Sequence, residues 1–163
     1  MGTIDMAALV RTHLKPLVLF ARQWDEAAAE DIVHDAFVRL AGQVRDGRTP
    51  NHVTAWLYRV VRNMSIDRHR RHQQTQKHAE SVARETTEWF VTHEKNEDRL
   101  DALLLTERMK TLPLEQREVI VAHLWGDRSF REIAALTGRS FSTVRREFHQ
   151  GLETLRAGLI PDD

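Results

Sequence analysis

The sequence predicts an all-α protein of two small helical domains joined by a linker. Three observations carry this: apolar residues recur at three- and four-residue spacing through three early segments, the spacing returns after about residue 98, and the stretch between lacks it. Composition agrees: 29% charged and 41% apolar residues with only 7 Gly and 4 Pro suit a folded, helix-rich chain rather than a disordered one.

In the first segment Leu9, Val10, Leu14, Leu17, Val18 and Ala21 define a helix over Met6–Ala21, which Pro16 is expected to bend or restart. A second helix is expected from about Glu26 to Val44, with Ile32, Val33, Ala36, Phe37 and Leu40 inward and Asp31, His34, Asp35 and Arg39 opposite. Turn formers fill Asp46–Asn51. A third helix then runs to about His72, with Trp56, Leu57, Val60, Val61 and Met64 inward. Three such helices can share a core, which sets a first domain at residues 1–72.

Residues 73–97 are polar, then acidic, with a sticky patch at Trp89, Phe90 and Val91, and read as a linker. Helical spacing resumes at Leu100, Leu103, Leu104, Met109 and Leu112 and continues through Val119, Ile120 and Leu124, giving a second domain at 98–163. Ser129 three residues ahead of Glu132 forms a capping box. Gly138 suits a left-handed C-terminal turn, and Ser140 caps a last helix through Val144, Phe148, Leu152 and Leu155. Helix, glycine turn, helix is the geometry whose second helix can enter a DNA major groove.

The chain has no cysteine, which excludes disulfides, thiolate zinc sites and a cysteine nucleophile. Its N-terminus lacks the basic start and apolar run of a secretory signal, and no stretch approaches the roughly 20 apolar residues of a membrane span. A cytoplasmic protein without membrane insertion is expected. Basic and acidic residues balance at 24 each. They are unevenly spread: 11 basic against 8 acidic in residues 1–72, 4 against 7 in 73–105, and 9 against 9 thereafter.

Two faces carry chemistry suited to nucleic acid. On the last helix, Ser142, Thr143, Arg145, Arg146 and His149 offer donors opposite the apolar side, a pattern that a DNA reader and a surface helix of a bundle both satisfy. The third helix carries Arg59, Arg62, Asn63, Arg68, Arg70 and Arg71, which fits either phosphate neutralisation or a solvated basic face with Trp56 in the core. His69 and His72 lack a third ligand, and Glu30, Asp31 and Asp35 lack a base or metal partner. No catalytic residue, metal or cofactor is expected.

In order, "AEDIVHDAFVRLAG" (Ala29 to Gly42), "TAWLYRVVRNMSIDRHRR" (Thr54 to Arg71) and "LPLEQREVIVAHLWGDRSFREIAALTGRSFSTVRREFHQGLETLR" (Leu112 to Arg156) resemble the successive region signatures of extracytoplasmic-function sigma factors of the sigma-70 family. The resemblance implies a region 2 bundle of three or four helices and a region 4 helix-turn-helix. It implies docking of Asp31, His34, Asp35 and Arg39 on the β′ coiled coil of core RNA polymerase, with region 4 on the β flap. Arg48, Asn51, His52, Arg59, Arg62, Asn63 and Arg70 would take the melted minus 10 strand, whose base extrusion costs a few kcal/mol. Ser140, Ser142, Thr143, Arg145, Arg146 and His149 would read the minus 35 duplex, and the linker would thread toward the RNA path. An anti-sigma factor is a further implied partner.

The chain departs from the family pattern at Glu147 and Gln150, where basic residues are usual, at Arg139, where an apolar residue is usual, and at His34, which stands for a Gln. Lost cations are expected to weaken phosphate anchoring. They also motivate an alternative: a sigma-like decoy that occupies an anti-sigma factor without reading DNA.

Overall fold

The structure, a computed structural model, describes residues 3–76, 89 and 96–158. Among the described residues there are seven α-helices and no strand. The chain divides into two compact units, Met1–Glu80 and Ser81–Asp163. Most of the expected linker, including Phe90 and Val91, lies outside the described residues.

In the first unit α1 (Met6–Arg22) starts at Asp5, whose carboxylate accepts from the Ala8 N–H at 3.1 Å. Of the bend or restart expected at Pro16, the restart does not occur, since the helix is continuous through it. Proline removes one backbone donor, but the residue four back, Thr12, is exposed, so water can serve its freed carbonyl. Packing of Leu17, Leu19, Phe20 and Ala21 holds the helix through that gap, while Leu14, expected inward, is exposed. Helix α2 (Ala29–Arg45) begins three residues later than expected, after Asp25 accepts from the Ala28 N–H at 3.1 Å. Its core face is the expected one: Ile32, Val33, Ala36, Phe37 and Leu40 are all buried.

Helix α3 (Val53–Gln76) runs past His72, and its buried face is rotated from the expected one. Leu57, Tyr58, Val61 and Ser65 are buried, whereas Trp56, expected in the core, is half-buried. Tyr58 takes the inner place because Phe20 meets it at 5.2 Å, with Trp24 edge-on to Phe20 at 5.1 Å. His69 and His72 tie α3 to the α1–α2 connection: His69 Nδ1 lies 3.1 Å from the Trp24 carbonyl oxygen, and His72 Nε2 lies 4.0 Å from the Asp25 carboxylate.

In the second unit the expected continuous run divides at Pro113 into α4 (Asn96–Thr111) and α5 (Leu114–Leu124). The inward face of α4 is Ala102, Thr106 and Met109, with the Thr106 hydroxyl donating to the Ala102 carbonyl at 2.9 Å. Leu104 and Leu124 are therefore exposed, against expectation, and the Leu100 side chain lies outside the described residues. Trp89 is buried, with the Lys110 ammonium 5.4 Å from its ring centroid. Residues 118–122 of α5 are buried in succession, so this helix is the unit's centre.

Helices α6 (Phe130–Thr137) and α7 (Phe141–Ala157) pack on it. The capping box is formed: Ser129 Oγ accepts from the Glu132 N–H at 3.1 Å and Glu132 Oε1 accepts from the Ser129 N–H at 3.3 Å. Gly138 closes α6 at φ +72, and Ser140 Oγ accepts from the Thr143 N–H at 3.1 Å to open α7. At Gly151 a Cβ would lie 2.5 Å from Ile120 Cδ1 and 3.3 Å from Gln116 Cβ, so a side chain there would require the Ile120 side chain to shift where α7 crosses α5. Ser129→Ala is expected to lower the stability of this unit by about 1 kcal/mol. Thermal unfolding of the full chain followed by circular dichroism measures it; an unchanged midpoint removes the cap from the account.

Candidate nucleic-acid interfaces

On α2 the expected outward residues Asp31, His34, Asp35 and Arg39 are all exposed. They share that face with Val38, a 56% exposed apolar side chain that periodicity did not single out. One helix face thus offers charge, imidazole and an apolar patch, the mixture found at protein interfaces.

The loop after α2 turns at Gly47, φ +70. Arg48 is held beside it by Asp46, 3.1 Å away, and Asn51 and His52 are exposed. On α3, Arg59, Asn63 and Arg70 are exposed, and their spacing of four and seven residues puts them in one row. Arg62 is set apart from that row and half-buried. The row therefore combines two guanidinium groups with one amide, suited to phosphates and an unpaired base. No group of three or more His, Asp or Glu able to hold a metal occurs among the described residues.

In the second unit α6, the turn at Gly138 and α7 form a helix-turn-helix. Val144, Phe148, Gly151 and Leu155 face the core. Ser142, Arg145, Arg146 and His149 are exposed on the other side, while Thr143 is half-buried with its hydroxyl accepting from Ser140 Oγ at 2.9 Å. An aromatic stack supports the helix pair: the His123 ring lies 4.3 Å from Phe130 and 4.8 Å from Phe148. His123 Nδ1 is 2.8 Å from the Arg128 carbonyl oxygen, which can only accept, so Nδ1 carries the proton.

The departures at positions 139 and 147 are one feature. Arg139 Nη1 lies 2.8 Å from Glu147 Oε2, and Nη2 donates to Glu118 Oε1 at 3.3 Å. The side chains of Arg139, Glu147 and Glu118 are only 20%, 15% and 4% exposed. Glu147 is thus turned away from the exposed face of α7 and toward Arg139. Arg139, from the turn, joins α5 to α7 through two carboxylates. The signal in the sequence was the pairing itself: an unexpected cation and an unexpected anion eight residues apart.

Comparison with known proteins follows the same division. Residues 9–75 match the family model Sigma-70 region 2, and residues 102–155 match Sigma-70, region 4. The chain is 32% identical to the ECF RNA polymerase sigma factor SigL of Mycobacterium tuberculosis, covering 94% of this chain and 88% of that protein. It is 30% identical to the RNA polymerase sigma-E factor of Streptomyces avermitilis, covering 98% and 88%. Among solved structures it is similar to the sigma factor RpoE in complex with the anti-sigma factor NepR from Bartonella quintana, at TM-score 0.71 and 22% identity, covering 98% and 99% of the two chains. It is also similar to CnrH in complex with the cytosolic domain of CnrY, at TM-score 0.61 and 25% identity, covering 97% and 89%.

Proposed function

This chain belongs to the extracytoplasmic-function group of the sigma-70 family, and from that premise we propose how its exposed faces divide the work of initiation. It is a sigma factor: it binds core RNA polymerase and directs transcription to particular promoters. The observation that carries this is the order of region 2 and region 4 along one chain, each with a polar face left open by its core. Such a protein is a transcription regulator that works by non-covalent assembly, and its place of action is the cytoplasm. No described helix is long and apolar enough to cross a membrane.

Region 2, residues 1–72, docks on the β′ coiled coil through Asp31, His34, Asp35 and Arg39, with Val38 filling the patch between them. Arg48, Asn51, His52, Arg59, Asn63 and Arg70 take the displaced minus 10 strand, Arg62 contributing from the edge of that row. Residues 73–97 link to region 4, residues 98–163, which engages the β flap and places α7 on the minus 35 duplex. Ser140, Ser142, Thr143, Arg145, Arg146 and His149 supply its contacts, Ser140 and Thr143 chiefly by holding the first turn. An anti-sigma factor is a partner as well, which the sigma and anti-sigma pairs named for the similar solved structures support.

The decoy alternative rested on Glu147 and Gln150. Since Glu147 is matched by Arg139 inside the unit, only the exposed Gln150 still favours it. Purified chain added to core enzyme and a promoter library is expected to yield transcripts with defined 5′ ends, lost progressively as salt rises. Binding to core without transcripts from any promoter overturns the sigma reading and leaves the decoy.

A further inference from the structure

Resting on the reading of α7 as the helix that meets promoter duplex, we propose that Phe141 is a specificity-determining residue whose ring packs against the 5-methyl group of a minus 35 thymine. Phe141 is the first residue of α7 and is 44% exposed, although large and apolar. Its row continues at Arg145 and His149, four and eight residues on, both exposed. The N-terminal residues of a recognition helix are the ones that reach base edges.

The ring is braced on its inner side and open on its outer one. Its edge meets Phe130 at 6.3 Å and 75°, and Phe130 is itself held by His123 at 4.3 Å and Phe148 at 5.1 Å. Its outward neighbours in the first two turns, Ser142, Arg145 and Arg146, are polar and suit phosphates or hydrogen-bonding edges. A phenyl ring suits neither. In the major groove the apolar group available to it is the thymine methyl, which marks A·T from every other pair.

The probe is a set of duplex promoters selected by the holoenzyme from a randomised library, with each minus 35 thymine replaced in turn by uracil. Holoenzyme carrying the wild-type chain is expected to bind one of these about three- to five-fold more weakly, the scale of one buried methyl. With Phe141→Ala the thymine and uracil duplexes bind alike at that position while dependence on the other bases persists, and Phe141→Leu restores part of the difference. Wild-type indifference to uracil at every position, a selected element without thymine, or an undiminished uracil penalty in Phe141→Ala overturns the role of Phe141 alone. Loss of all minus 35 base dependence in the wild-type holoenzyme overturns the reading of α7 itself.

Discussion

Arg139→Met is expected to destabilise the second unit by about 3–5 kcal/mol, the cost of removing one partner from a buried ion pair. The reason lies in what remains. Glu118, only 4% exposed, and Glu147, 15% exposed, would both lose the cation they share. Methionine supplies similar length but no charge and no donor, so both carboxylates lose the guanidinium that Arg139 gave them. Small domains shift by about 4–8 °C per kcal/mol, so the melting midpoint should fall by more than roughly 10 °C. The triple variant Arg139→Met, Glu118→Gln, Glu147→Gln is expected to recover part of that loss, because it removes the two charges that Arg139 had balanced. Thermal unfolding of the full-length variants decides it. A single variant that melts like wild type, or a triple variant no more stable than the single, would remove the ion pair from the architecture of the helix-turn-helix.

Asp31→Lys with Asp35→Lys is expected to weaken binding to core RNA polymerase about a hundredfold, since like charges brought together across an interface cost several kcal/mol. Both carboxylates are exposed on α2 and take no part in its buried face, so the fold should persist. A fluorescence titration of labelled chain with core enzyme reads the affinity, and circular dichroism checks that helicity is retained. Rising salt should narrow the gap between variant and wild type, because exposed charges are screened. Unchanged affinity at low salt would mean that this face of α2 does not meet the polymerase.

Much of the fold was legible because it is local. Ser129 with Glu132, Gly138 and Ser140 act within four residues of themselves, so their roles in ending and starting helices could be read from the chain alone. The core face of helix α2 was equally readable, since Ile32, Val33, Phe37 and Leu40 are large and apolar while Asp31, His34, Asp35 and Arg39 lie opposite. The outward site residues followed from the same patterns: Asp31, Asp35, Arg59, Asn63, Arg145 and Arg146 are exposed as the helical period required.

Phase was harder where both sides of a helix carry apolar residues. Spacing places a stripe, but the neighbouring helix decides which edge of it is covered, and Tyr58 entered the core beside Phe20 while Trp56 stayed half-buried. Leucines misled on α4 in the same way: Ala102, Thr106 and Met109 are buried while Leu104 is exposed.

The sequence by itself thus determined the all-helical class, the capping of the helix-turn-helix and the polar faces of α2, α3 and α7, because each depends on residues within about two turns of one another. Tertiary structure alone decided the inward turn of Glu147, the exposed place of Phe141 and the close approach of Ile120 to Gly151. Each of those depends on a partner from another element, Glu118 and Arg139, Phe130, or Ile120, and such pairings exist only once the helices have packed.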